Sequence, residues 1–120
     1  MEWKLSDDRP IYLQLYEQLT RRIVSGIYPP GSKLPPVREL AAEAGVNPNT
    51  MQRALQQLES DGLAVANRTA GRVVTDDIAA IEAIRYRMAR EIIAAFYAAA
   101  AELGYTRQEA AALVKEEESL

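Results

Sequence analysis

The sequence of 120 residues predicts a mainly α-helical fold, in which three helices and a small β-hairpin precede a pair of helices. Apolar residues recur every three or four positions in several segments, which is typical of amphipathic helices. Two short apolar runs flank a polar loop at residues 68–71, as in a β-hairpin. All six prolines and five of the six glycines lie before residue 76, and an alanine-rich stretch follows. We therefore divide the chain into domains 1–75 and 76–120.

The first predicted helix begins after Asp7-Asp8-Arg9-Pro10, because acidic residues and a proline suit a helix start. Its apolar positions step by three and four from Tyr12, and we expect it to end near Ser25-Gly26. Arg21 and Arg22 are expected on its solvated face, and Trp3 is expected to pack against the domain or a partner. A turn follows at residues 28–33, since two prolines and a glycine cannot continue a helix.

The second and third predicted helices are separated by a very short break. Pro35-Pro36 introduces the second helix, and Gly45 permits the left-handed conformation that ends it. Asn47 is a good N-cap, and Pro48 fits the first position of the third helix. The expected inward residues of the third helix are Met51, Ala54, Leu55 and Leu58.

A β-hairpin is predicted after Gly62, with strands around residues 63–67 and 72–75. Two helices, a tight turn, a third helix and a hairpin occur in the order of a winged helix-turn-helix. The fold class is therefore an N-terminal winged helix-turn-helix followed by a two-helix C-terminal segment.

The C-terminal segment carries an apolar stripe on a long helix that we expect to end at Gly104. Thr106 and Glu109 then match a capping box that starts a short final helix. A pair of helices of this size can barely bury such an apolar stripe by itself, so we expect a twofold dimer in which a second copy covers it. The residues expected at the dimer interface are Ile81, Ile84, Met88, Ile92 and Phe96.

Composition excludes several kinds of chemistry. The chain has no cysteine and no histidine, so disulfides, thiolate zinc sites and histidine-based catalysis are absent, and we expect no enzyme activity, metal or cofactor. No apolar run is long enough for a membrane helix, so we expect a cytoplasmic location. The net charge of −3 argues against nucleic-acid binding, but residues 1–75 sum to +1 and residues 76–120 to −4.

The third helix presents polar side chains opposite its buried stripe. A step of about 100° per residue turns Asn49, Gln52, Arg53 and Gln56 to that face. Asparagine and glutamine can pair with adenine and arginine with guanine, and the DNA major groove admits a helix. In the hairpin loop, Arg68 and Arg72 flank Gly71, which lets the chain approach a phosphate backbone closely.

Residues 10–75 resemble the DNA-binding domain of GntR-family bacterial transcription regulators. The matching motifs are Pro10-Ile11-Tyr12-Leu13-Gln14-Leu15, Gly26-Ile27-Tyr28-Pro29-Pro30-Gly31-Ser32-Lys33-Leu34-Pro35, Val37-Arg38-Glu39-Leu40-Ala41, Gly45-Val46-Asn47-Pro48-Asn49-Thr50 and Leu55-Gln56-Gln57-Leu58-Glu59-Ser60-Asp61-Gly62-Leu63. The run Val46-Asn47-Pro48-Asn49-Thr50, together with the short C-terminal segment, resembles the YtrA-type subfamily. Pro36 and Pro48 stand where many members have serine and arginine.

We expect a dimeric regulator of double-stranded DNA, and its two third helices favour an inverted-repeat operator. A compact binder can occlude a promoter without other machinery, so we expect a repressor. The resemblance implies that Arg38 contacts phosphate or a base, Thr50 the backbone, and Arg68 to Arg72 the minor groove or its phosphates. Asn47 and Thr69 complete the set of candidate DNA-contacting residues.

Two further possibilities are open at this point. The alternative function is a winged-helix module that binds protein without specific DNA binding. A small-molecule effector could modulate DNA release, and the candidate residues for an anion site are Tyr86, Arg87, Arg90, Tyr97 and Tyr105, although such residues are more often dimer contacts and solvated charges.

Overall fold

The computed structural model describes residues 2–119 and confirms the predicted fold class. In chain order the elements are α1 (Ile11–Val24), α2 (Val37–Ala44), α3 (Pro48–Ser60), β1 (Ala64–Asn67), β2 (Gly71–Val74), α4 (Ile78–Glu102) and α5 (Arg107–Glu118). The chain forms two compact units, one reaching to Arg85 and the other beginning at Tyr86. Among residues 2–119, no helix combines the length and apolar character that crossing a bilayer requires.

The core of the first unit lies where α1 and α2 cover the apolar side of α3. Leu15 and Leu19 of α1, Leu40 of α2, and Met51 and Leu58 of α3 are all fully buried. The spacing of these residues matches one face of each helix, so burying that face sets how each helix is rotated. The core also includes Leu34, Leu63 and Val74, which bring the hairpin and its preceding loop onto the helices.

The break between α2 and α3 has the geometry that its residues predict. Gly45 has φ 70° and ψ 37°, the left-handed conformation that lets α2 end within one residue. The Asn47 side-chain oxygen accepts a hydrogen bond from the backbone N–H of Asn49 at 2.7 Å, and Pro48 occupies the first position of α3. This cap satisfies an N–H that would otherwise lack a helical partner.

The two strands of the hairpin pair antiparallel, with Val65 opposite Val73 and Ala66 opposite Arg72. The segment before α2 extends this pairing, because the Leu34 N–H donates to the Arg72 carbonyl at 2.9 Å. The Val74 N–H also donates to the Ser32 carbonyl at 2.8 Å. These bonds tie β2 to the loop that leads into α2, and so fix where the hairpin lies beside α3.

The segment before α1 is held by a buried arginine. Arg22 was expected on a solvated face, but this prediction is wrong: only 3% of the residue is exposed. Its guanidinium carbon lies 4.1 Å from the centre of the Trp3 ring, and its Nη1 donates to the Tyr28 hydroxyl at 2.8 Å. The same nitrogen lies 3.3 Å from a carboxylate oxygen of Glu43. The aromatic and acidic neighbours replace the water that the charge loses, which helix periodicity alone could not indicate.

The first turns of α4 belong to the first unit. Ile81, 4% exposed, completes its core, and Ile84 packs against that core. Ile81 therefore has little surface left for a dimer partner, because its apolar side is already covered within the chain.

The second unit comprises the rest of α4, a turn at Gly104, and α5. Thr106 and Glu109 form the predicted capping box, with the Thr106 N–H donating to the Glu109 carboxylate at 2.9 Å. This backbone hydrogen bond holds the pKa of Glu109 below its ordinary value, because it stabilises the ionised carboxylate. Ala110 is buried, whereas Ile92, Phe96, Leu103, Leu113 and Val114 remain exposed on this unit.

We expect the substitution Arg22→Met to lower the free energy of unfolding by about 1–3 kcal/mol, because it removes the Trp3 stack and the bond to Tyr28. Urea unfolding followed by circular dichroism measures this loss. Arg21→Met is the matched control, since the adjacent Arg21 is exposed and its replacement should cost less than about 0.5 kcal/mol. Equal losses for the two variants would contradict the role assigned to Arg22.

Candidate nucleic-acid interface

One side of α3 forms an exposed polar surface backed by the core. Met51, Ala54, Leu55 and Leu58 face inward and are buried. The structure places Asn49, Arg53 and Gln56 on the opposite, exposed side, and Gln52 lies partly buried at its edge. We call these four residues the α3 polar face. A helix held in this way can present its side chains to the edges of bases in a major groove.

The start of α3 contributes two further candidates. The Asn47 side-chain oxygen accepts the capping hydrogen bond of α3, and Asn47 is exposed to solvent. Thr50 is partly buried, and its backbone N–H donates to the Asn47 carbonyl at 3.0 Å. On α2, Arg38 is exposed at the second helical position. Backbone positions at a helix N-terminus and an exposed arginine are both suited to phosphate contact.

Arg53 is held against a neighbouring helix. Its guanidinium carbon lies 3.6 Å from the centre of the Tyr12 ring, on the first turn of α1. Tyr12 is partly buried and Arg53 is exposed, so the ring covers one side of the charged group and leaves the rest accessible. Periodicity predicted that Arg53 is exposed but did not indicate that α1 supplies a ring beside it.

The Arg72 side chain on β2 makes polar contacts with two residues of α3. Its Nε forms an ion pair with the Glu59 carboxylate, and its Nη1 donates to the Gln52 side-chain oxygen at 3.4 Å. The Arg72 and Glu59 side chains are 20% and 32% exposed. Glu59 was not among the predicted site residues, because a single carboxylate on a helix has no pattern that distinguishes it from a solvated residue.

The hairpin tip presents Arg68, Thr69 and Gly71. The Asn67 side-chain oxygen accepts hydrogen bonds from the backbone N–H groups of Thr69 and Ala70, each at 3.0 Å. Gly71 has φ 75°, a left-handed conformation that favours glycine. Hydrogen bonds within the loop therefore shape this turn, and Arg68 and Thr69 are exposed at its tip.

The residues predicted to form an anion site make separate contacts on the second unit. Arg87 lies 3.8 Å from the Glu91 carboxylate, and the Arg107 guanidinium lies 4.1 Å from the centre of the Tyr97 ring. Tyr105 instead lines an apolar groove of about 540 Å³ between the end of α4 and α5. Phe96, Leu103, Leu113 and Val114 also line this groove. Across residues 2–119, no cluster of three or more acidic, histidine or cysteine side chains is arranged to hold a metal ion.

Comparison with known proteins places this geometry in a family. The model of the gntR family of bacterial regulatory proteins matches residues 11–74. The Bacillus subtilis HTH-type transcriptional regulator YhcF is 34% identical over 109 residues, which cover 91% of this chain and 90% of YhcF. The Bacillus subtilis HTH-type transcriptional repressor YtrA is 40% identical over 68 residues, which cover 57% of this chain and 52% of YtrA.

Solved structures of transcription regulators also resemble this chain. A GntR family transcriptional regulator from Listeria monocytogenes superposes with a TM-score of 0.85 at 35% identity, covering 93% of this chain and 98% of that one. The DNA-binding domain of AraR, crystallised in complex with its operator ORX1, superposes with a TM-score of 0.54 at 30% identity. That match covers 62% of this chain and 92% of the AraR domain.

Proposed function

This chain belongs to the GntR family of bacterial transcriptional regulators, and from this membership we propose that it is a homodimeric repressor of an inverted-repeat DNA operator. The family and the relatives of this chain are transcription regulators and not enzymes, in agreement with the sequence prediction. Its relatives also include YtrA proteins from two organisms, which supports the YtrA-type assignment.

The observation that carries the proposal is the α3 polar face. Amide and guanidinium groups stand together on the exposed side of a helix whose other side is fully buried. Such groups recognise bases by paired hydrogen bonds, and they require a rigid helix to reach successive base pairs. We assign Asn49, Gln52, Arg53 and Gln56 to the major groove. The operator complex of the AraR domain supports this choice of partner.

The flanking residues would position the domain on the DNA backbone. We assign Arg38, Asn47 and Thr50 to phosphates or bases near the start of α3. Arg68, Thr69, Gly71 and Arg72 would reach the adjacent minor groove or its phosphates. Contacts of this kind fix the register of a protein on DNA without reading its sequence. Because a regulator of this family acts on DNA in the cytoplasm, we propose a cytoplasmic location.

The second unit supports the proposal of a homodimer. Ile92 is 68% exposed and Phe96 is 43% exposed, and such apolar surface favours association in water. Met88 is partly buried and continues the stripe toward Ile84. A twofold dimer would place two α3 helices on half-sites roughly 34 Å apart, which matches an inverted repeat.

Repression would follow from where the dimer lies on the DNA. A dimer that covers promoter DNA would repress by occlusion, and the repressor YtrA among the relatives supports this sign of regulation. A small ligand would modulate release by binding the free and DNA-bound forms with different affinities. The apolar groove between α4 and α5 has room for such a ligand.

We expect Arg53→Ala to weaken binding to the selected operator by about 1–3 kcal/mol and to relax the preference at one base pair. Selection of bound sequences from a random duplex pool, followed by titration of the selected duplex, measures both effects. Random DNA should be bound with nearly unchanged affinity. An equal loss on operator and random DNA would show that Arg53 does not read a base.

The ion pair between Arg72 and Glu59 predicts opposite effects for its two members. Arg72→Ala should weaken operator and random DNA alike and lower the slope of log affinity against log salt by about one. Glu59→Gln should strengthen both, because phosphate no longer competes with a carboxylate for Arg72. Glu82→Gln removes the same charge elsewhere and should have a smaller effect.

A flat salt dependence of DNA binding in the unsubstituted protein would favour a protein partner over DNA.

We expect Ile92→Glu to convert the protein from dimer to monomer at micromolar concentration and to lower operator affinity at least about tenfold, because the two half-sites are no longer bound together. Sedimentation velocity and DNA titration provide the measurements. Arg90→Glu is the control, since it introduces the same side chain on nearly the opposite side of α4. A monomeric unsubstituted protein would contradict the dimer.

A further inference from the structure

The contact between Arg53 and Tyr12 has a geometry that restricts how the guanidinium can lie. The separation of 3.6 Å between the guanidinium carbon and the ring centre is the thickness of two planar groups in van der Waals contact. An edge-on guanidinium would have to stand farther from the ring. The distance is that of a stacked arrangement, in which the N–H groups point parallel to the ring and are not covered by it.

A flat guanidinium keeps the donors that recognise guanine. The two N–H groups that bond to guanine O6 and N7 lie in the guanidinium plane, whereas the ring contact uses only its face. The stack can thus persist while the edge makes a bidentate contact. A free arginine side chain loses much rotamer freedom when it binds a base, and a stacked one has lost part of that freedom beforehand.

We propose that Tyr12 is a positioning residue that holds Arg53 in the orientation required to read a guanine, so that α1 takes part in base-pair discrimination. The proposal rests on the assignment of α3 to the major groove. Tyr12 itself touches no base in this proposal. Its effect is on selectivity, because a misdirected Arg53 could still attract phosphate but would lose its preference for one base.

The rest of the interface between α1 and α3 offers a matched comparison. Tyr16, one turn after Tyr12, donates from its hydroxyl to the Asp61 carboxylate at the end of α3. Tyr16 is also partly buried against the core. Removing the Tyr16 ring therefore disturbs the packing of α1 on α3 at a distance from Arg53 along both helices.

The test measures the affinity ratio between the selected operator and a duplex with the Arg53-dependent base pair replaced. Tyr12→Leu should lower this ratio about threefold to tenfold, while Tyr12→Phe retains it because the ring face remains. Tyr16→Leu should leave the ratio unchanged, even if it lowers stability. In the Arg53→Ala background, Tyr12→Leu should have no further effect on the ratio.

Several results would overturn the proposal. A ratio that falls equally in Tyr12→Leu and Tyr16→Leu would assign the effect to helix packing in general. A ratio that falls as far in Tyr12→Phe as in Tyr12→Leu would show that the hydroxyl, and not the ring face under Arg53, sets the selectivity. If Arg53→Ala itself leaves the ratio unchanged, the base-reading role of Arg53 fails instead, and this outcome separates the two hypotheses.

A measurement on the unsubstituted protein covers the case in which Tyr12→Leu does not fold. The Nε–H order parameter of Arg53, measured by side-chain NMR relaxation without DNA, should approach that of ion-paired Arg72 and exceed that of exposed Arg68. An Arg53 as mobile as Arg68 would overturn the proposal.

Discussion

Burial of the inner side of α3 against α1 and α2 is the constraint on which the rest of this structure depends. Met51 and Leu58 are fully buried together with Leu15 and Leu19, so α3 cannot rotate without exposing apolar area to water. That single rotation decides which residues of α3 meet solvent. The N-terminal cap by Asn47 and the left-handed Gly45 fix where the helix starts. The polar face is therefore a consequence of apolar packing.

Three arginines of the first unit have three different kinds of partner. Arg22 is buried with aromatic and acidic neighbours, Arg53 lies on a tyrosine ring, and Arg72 is paired with Glu59. The carboxylates of Glu43 and Glu59 offset the charges of Arg22 and Arg72 in a unit whose overall charge is already small. Attraction to DNA of any sequence should then be weak, and affinity should depend on a matched site and on two half-sites bound together.

The second unit differs from the first because most of its large apolar side chains are exposed. Its buried core is small, while Ile92, Phe96 and Leu103 leave apolar area in water. A surface of this kind gains free energy from association, which is the physical basis for proposing a dimer on α4. Ile81 is distinct from that surface, because the first unit already covers it.

The sequence by itself determined the order and type of every element and the exposed side of α3, because periodicity, glycine, proline and capping residues act locally. It also carried the family resemblance that the gntR family model confirms. The tertiary structure alone decided that Arg22 is buried, that Tyr12 lies beside Arg53 and that Glu59 pairs with Arg72. Each of these contacts joins residues from separate elements or the N-terminal segment. Local periodicity cannot encode them, since they depend on how the packed helices and the hairpin are placed around α3.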